Sequence, residues 1–268
     1  MDLPDVKNLL LRLEQGVLHM TFNRPESRNA MSLGLLQDIV SVFDAISSDR
    51  GVRAVAMRGA GGHFCAGGDI KDMANARAAK VTANGDPVAE YNRQFGRMLR
   101  KVNHAPQATL AVLEGAVLGG GFGLACVTDV AIAHRDASFG MPETGLGIPP
   151  AQIAPFVVER LGLSQARRLA VCGARFKGEE ALRLGLVHFV VDDEAQLNQV
   201  LQETLTQIRR CAPGANATTK EIMLSAGRMD MDAILDYAAK KFSEAVRGPE
   251  GVEGTTAFVQ KRLPKWAE

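Results

Sequence analysis

Residues 117–130 read "VLGGGFGLACVTDV". Three glycines in a row, Gly119, Gly120 and Gly121, follow one apolar run and precede another. A strand-to-helix turn accounts for one glycine. Three suggest that backbone comes very close to something else. A carboxylate or histidine just after so bare a backbone would supply chemistry, yet position 123 is Gly123. Two questions follow: what the bare amides serve, and where the acid is.

The rest of the chain sets the frame. It has 268 residues, with 31 basic and 30 acidic side chains, 46% hydrophobic and 5% aromatic residues. That is enough apolar material for one large domain or a domain with an appendage. A net charge of +1 gives no reason to invoke nucleic acid or a membrane surface. Four scattered cysteines, Cys65, Cys126, Cys172 and Cys211, show no CxxC spacing and read as reduced thiols. The start, "MDLPDVKNLL", lacks a signal-peptide pattern, and no apolar run is long enough to span a bilayer. The expected location is the cytoplasm.

Along the first half, short β-type runs alternate with helical ones. "VLHMTF" (17–22), "VRAVAMRG" (52–59), "ATLAVLEG" (108–115), "VAIAH" and "ASFG" read as strands. "SLGLLQDIVSVFDAIS" (32–47) has helical spacing with Ser32 as N-cap. The polar, alanine-rich segment 74–90 reads as a mobile lid. After Pro149 the pattern is almost wholly helical, with "EAQLNQVLQETLTQIRRCA" and "DMDAILDYAAKKFSEAVRG" amphipathic. The expected organisation is an α/β core over 1–190 and a helical region over 191–268. No clear internal repeat is legible.

Two glycine-rich loops, Ala66-Gly67-Gly68-Asp69 and Gly119-Gly120-Gly121, each follow a strand and precede a helix. Amides at a helix N-terminus point outward and carry partial positive charge. Two of them aimed at one point make an oxyanion hole. Taken singly, either loop is better explained by tight strand–helix packing, since glycine turns are common. Neither fits G-x-G-x-x-G, and no P-loop or HExxH is present. Glu143, in "SFGMPETGLGIPP", sits in an apolar, glycine-lined loop. It is either an acid/base with a raised pKa or a surface glutamate beside a turn. His63 and His134 read as structural or solvated, and Asp69 and Asp129 as caps.

The set "NRPESRNAMS", "HFCAGGDIKDM", "LEGAVLGGGFGLACVTDVAIA", "FGMPETGLGIPP", "GLV" and "EGTTAFVQKR" resembles the enoyl-CoA hydratase/isomerase (crotonase) family over nearly the whole chain. The resemblance implies an α/β fold, a spiral of β-β-α units with a C-terminal helical trimerisation region. It implies a homotrimer or a hexamer built as a dimer of trimers. It implies an acyl-CoA substrate with no separate cofactor, since coenzyme A is part of the substrate, and no metal. The implied oxyanion hole is the N–H pair of Gly68 and Gly120, and the implied acid/base is Glu143. Arg28, Ala30, Ala66, Asp69 and Ile70 fall in the loops that bind the ester. Phe258 and Lys261 match positions that reach coenzyme A, often from a neighbouring subunit. Relatives with two catalytic glutamates carry one at the place of Gly123, and it is absent here. Glu114 lies upstream at a position the family does not use for catalysis.

"LGIPPAQIAPFVVERLG" looks like the version found in methylglutaconyl-CoA and isohexenylglutaconyl-CoA hydratases. The resemblance therefore implies hydration of a 3-substituted glutaconyl-CoA. The pocket wall is expected from 72–95 and 148–156, with Ala74, Ala76, Ala78 and Ala79 making room for a branch. Pro149 and Pro150 remove backbone N–H groups near the acyl chain. Double-bond isomerisation, or acyl-CoA binding without turnover, are the alternatives. An RNA-binding role finds no support in the neutral charge and sparse aromatics.

Overall fold

The computed structural model describes residues 3–83 and 85–268. Its strands are β1 (Leu9–Glu14), β2 (Val17–Phe22), β3 (Ala54–Gly59), β4 (Ala108–Leu113), β5 (Ala116–Leu118), β6 (Val130–His134), β7 (Ser138–Gly140), β8 (Arg175–Phe176) and β9 (Phe189–Val191). The helices of the α/β part are α1 (Leu33–Ile46), α2 (Ile70–Ala78), α3 (Pro87–Asn103), α4 (Gly120–Cys126), α5 (Ala154–Leu161), α6 (Leu163–Val171) and α7 (Gly178–Arg183). Then come α8 (Glu194–Arg209), α9 (Pro213–Ser225), α10 (Met231–Arg247) and α11 (Pro249–Val259).

Six strands form the main sheet in the order β1-β2-β3-β4-β6-β9. All neighbours are parallel except the β1–β2 hairpin. Its turn is Gln15-Gly16, both at positive φ (47° and 75°), which suits the right-handed twist of the flanking strands. A second layer runs alongside, made of very short pieces. β5 pairs with β7 and β7 with β8. Isolated bridges Met31–Gly68 and Cys65–Val117 extend that layer. So β2 leads to Met31 and α1, β3 leads to 65–68 and α2, and β4 leads to β5 and α4. This is the β-β-α unit repeated in space, although no repeat is legible in the letters.

Both faces of the main sheet are covered, as a parallel sheet requires. In β3, Val55 and Met57 enter the larger core with Leu35, Ile39, Phe43 and Leu99. Ala54 and Ala56 face the other way, with Leu110, Ile132 and α8 residues Leu197, Leu201 and Leu205. Ser32 caps α1, its side chain accepting from the Leu35 N–H at 3.2 Å.

One expectation is corrected by the structure. The segment 74–90 is not one lid: its start lies in α2 and its end in α3. Part of that reading, Asn84, lies outside the described residues. After Pro149 the chain is almost wholly helical, as expected; β8 and β9 return to the two sheets. Among the described residues no helix is long and apolar enough to cross a membrane.

Candidate active site

The loop after β3 is threaded between two others. On one side Cys65 N–H donates to Ala116 O, and Leu118 N–H to Cys65 O, both at 2.9 Å. On the other, Met31 N–H donates to Gly67 O at 2.8 Å and Asp69 N–H to Met31 O at 3.1 Å. Groups alternate sides along extended chain, so the Gly68 N–H points away from Met31. It donates to no backbone oxygen among the described residues. Asp69 then starts α2, its Oδ1 accepting from Lys71 N–H at 2.9 Å. Its other oxygen takes an Arg24 guanidinium bond at 2.9 Å. Burial pushes the Asp69 pKa up, but Arg24 and the two helix amides together hold it below the ordinary value.

The three glycines of the opening stretch have separate reasons. Gly119 has φ 49° and ψ −114°, backbone that side chains resist, and a Cβ there would stand 2.8 Å from Glu143 Oε1. A Cβ on Gly120 would lie 2.6 Å from Phe95 Cε1. A Cβ on Gly121 would lie 2.6 Å from the Cys65 Cβ. Gly120 is the first residue of α4, and its N–H has no intrahelical acceptor. The Phe95 ring also reaches within 3.9 Å of a Cβ position on Gly68. The two free amides therefore border one space.

Glu143 enters that space from a 3-10 turn, Pro142–Leu146, that follows β7. The turn is fixed by Ile148 N–H donating to Glu143 O at 3.1 Å and by the Thr144 hydroxyl donating to Ala170 O at 3.0 Å. The Glu143 Oε2 atom is buried, without a hydrogen-bond partner among the described residues. Burial raises its pKa, opposed only by the residue's own backbone amide. A narrow cleft of about 90 Å³ joins Gly68, Gly120 and Glu143 to Met73, Tyr91, Phe95 and the 148–153 loop. A half-buried carboxylate that lines one cleft with two free amides can take a proton from a bound molecule while its oxyanion is held.

Other nucleophiles and acids are occupied elsewhere. Burial pushes the Cys65 thiol up to about 12, so it stays protonated. Tyr91 is pushed up to about 12 by burial and by Asp72 and Asp69, and its hydroxyl donates to Asp69 O at 3.3 Å. Glu114 pairs with Arg58 at 2.5 and 2.9 Å. His63 Nδ1 accepts from Ala116 N–H, and His134 bonds to Asp192 O and Asp136 N–H. Asp129 binds Thr109 and Lys220.

The loops around Gly68 carry most of the remaining sequence candidates. Arg28 is exposed at φ 50° and its carbonyl accepts from Ala66 N–H at 3.0 Å. The Ala30 carbonyl takes a second Arg24 bond. Ile70, an apolar side chain, is 73% exposed beside them. Phe258 and Lys261 lie exposed near the end of α11 and do not line this chain's cleft. The alanines expected in the wall do not line it either. Ala74, Ala78 and Ala79 are exposed, Ala76 packs on the core, and Met73 is the α2 residue in the cleft. Tyr91, Asn92, Phe95, Gln152 and Ile153 line it, and the sequence points to them only through the ranges 72–95 and 148–156.

Comparison with known proteins gives this arrangement its class. The sequence profile of the enoyl-CoA hydratase/isomerase family matches residues 12–268. A probable enoyl-CoA hydratase of Bacillus subtilis is 32% identical over 96% of this chain and 97% of its own. Among solved structures, Pseudomonas aeruginosa AtuE is similar with a TM-score of 0.95 and 60% identity, over 98% of this chain and 100% of its own. An enoyl-CoA hydratase/isomerase from Marinobacter aquaeolei has a TM-score of 0.95 and 54% identity, over 97% and 99%. The chain belongs to the enoyl-CoA hydratase/isomerase family, and its fold is the crotonase fold.

Proposed function

We propose that this protein adds water across the 2,3 double bond of a branched enoyl-CoA, a 3-substituted glutaconyl ester such as isohexenylglutaconyl-CoA or 3-methylglutaconyl-CoA. The observation that carries the reading is the buried, unpartnered Glu143 Oε2 beside the free amides of Gly68 and Gly120. Glu143 takes a proton from water as the hydroxide adds to Cβ. The electron pair of the double bond moves onto the thioester oxygen, where the Gly68 and Gly120 N–H groups hold it. Glu143 then returns the proton to Cα. Water is consumed and the carboxylate is regenerated, so no metal or further cofactor is called for.

Glu143 acts alone because the place of a second acid is closed. A Cβ on Gly123 would lie 2.7 Å from the Ile153 Cβ. The branched, dicarboxylic substrate is favoured by the resemblance of the "IPPAQI" run and by the polar side chains in the cleft beyond Glu143. Arg28, Ala30, Ala66 and Ile70 would bind the coenzyme A portion, with Asp69 shaping their loop. Exposed Phe242, Val246, Phe258 and Val259 on α10 and α11 favour a homotrimer or a dimer of trimers. In it Phe258 and Lys261 would reach a neighbour's coenzyme A, in the cytoplasm.

Mass-resolved turnover on crotonyl-CoA, 3-methylglutaconyl-CoA and isohexenylglutaconyl-CoA tests the reading. Gain of water on a glutaconyl ester, with crotonyl-CoA poor, is expected. Isomerised product of unchanged mass, or binding without turnover, would overturn it.

A further inference from the structure

Beyond Glu143, the cleft contains two side-chain amides, and their surroundings are asymmetric. Asn92 on α3 lines the cleft and has no hydrogen-bond partner among the described residues. Gln152 lies across α3 at Gly96, where a Cβ would stand 3.0 Å from the Gln152 Cδ. Only a glycine lets the carboxamide approach the helix so closely. Its Oε1 accepts from Arg93 Nη1 at 3.3 Å. That bond uses the acceptor end of Gln152 and leaves its NH₂ free to donate. Arg93 makes no ion pair among the described residues, unlike Arg97, which is paired with Glu90. The walls around these groups are Met73, Phe95, Ile148, Pro149 and Pro150. Among the described residues Glu143 is the only carboxylate that lines the cleft.

We propose that Asn92, Gln152 and Arg93 form a subsite that recognises an anionic group, a carboxylate, on the acyl part of the substrate. Asn92 and Gln152 supply donors from the cleft wall and Gly96 sets Gln152 against the helix, while Arg93, which does not line the cleft and borders a neighbouring groove, orients Gln152 from behind and supplies the charge through it. Donors to a carboxylate are charge-assisted and stronger than neutral ones. The charge is needed because a second carboxylate near Glu143 would otherwise raise that group further and be repelled by it. This deepens the proposed function by assigning residues to the glutaconyl carboxylate, and it rests on that reading only for the substrate's name.

The test is binding without reaction. Glutaryl-CoA and pentanoyl-CoA have acyl chains of equal length, ending in a carboxylate and a methyl group, and neither has a double bond to hydrate. Their dissociation constants are measured by calorimetry on the full-length protein, its Gln152→Leu and Asn92→Leu forms, and Arg93→Met. The wild type is expected to favour glutaryl-CoA by about tenfold or more, the scale of one charged hydrogen bond. Gln152→Leu and Arg93→Met should bring the ratio near unity while pentanoyl-CoA binding is kept, which also shows that the variants are folded. A wild-type ratio near unity, or a ratio unchanged in all three variants, overturns the proposal. Failure of the hydratase reading would appear separately, as no gain of water in the turnover assay.

Discussion

Ile153 stands where a side chain at position 123 would have to go, its Cβ only 2.7 Å from a Cβ built on Gly123. Leu99 Cδ1 closes the same space at 3.5 Å. The missing acid after the glycine run is therefore not a gap filled by water. It is an apolar contact between α4 and the loop that leads into α5. Adding only an acid would break packing before it added chemistry. Gly123→Glu is expected to lower stability by about 1–3 kcal/mol, the range for overpacking. Adding Ile153→Gly should recover part of the loss. Urea unfolding of both singles and the double measures this coupling directly.

Glu143→Gln should lower turnover by about 10²–10⁴-fold, the usual worth of a general acid/base. It should also stabilise the protein near neutral pH. Burial raises the Glu143 pKa in the folded state above the ordinary 4.5. The folded state thus favours the protonated form, and stability falls as pH rises from 4.5 through the folded pKa. Glutamine carries no such penalty. Melting curves should show the variant gaining on the wild type across that interval, with a constant advantage above it.

The two glycines proposed to form the oxyanion hole, Gly68 and Gly120, should respond differently to alanine. At Gly68 a Cβ would meet Tyr91 Oη at 3.7 Å and Phe95 Cζ at 3.9 Å, which is ordinary contact. At Gly120 it would meet the Phe95 ring edge at 2.6 Å. Gly68→Ala keeps its amide and its place, so kcat should change little. Gly120→Ala must push Phe95 or its own turn aside, and a misplaced donor costs about 10²–10³ in kcat. Steady-state kinetics of both, with Phe95→Leu added to Gly120→Ala as the rescue, checks the contrast.

Asp69→Ala removes the N-cap of α2 and unpairs Arg24, whose side chain is largely buried. Loss of the cap alone should cost about 0.5–2 kcal/mol. Asp69 is held below its ordinary 3.8 in the fold, so its contribution is present above that value and lost as pH falls through the folded pKa. The stability gap between wild type and variant should shrink in that acid interval. Chemical denaturation as a function of pH reads it.

Much of the site was legible in the letters and some was not. The strands β2, β3, β4 and β6 are apolar runs bounded by turn residues, and their periodicity speaks for itself. β1 is less clear, because Leu10 and Leu13 are exposed on an edge and blur the alternation. Of the second layer only β7 is legible, as "ASFG"; the rest is not, because its members are one to three residues long, below any period. That is why the β-β-α repeat emerges only in space. Glu143 was an open choice between surface and acid until its Oε2 atom proved buried and unpartnered. The 74–90 segment misled because its alanines and polar residues fit a loop as well as the exposed faces of α2 and α3. Asn92, Gln152 and Gly96 gave no signal, since what matters is how a loop after Pro150 lies on a helix more than fifty residues earlier.

The central claim is that Glu143 alone moves the proton that adds water. The most direct measurement is turnover of 3-methylglutaconyl-CoA in ¹⁸O-labelled water by the wild type and by Glu143→Gln, followed by mass spectrometry. The predicted result is label in the product with the wild type and almost none with the variant, while the variant still binds the ester. An isomerised, unlabelled product from the wild type, or near-equal labelling by the two proteins, would contradict it.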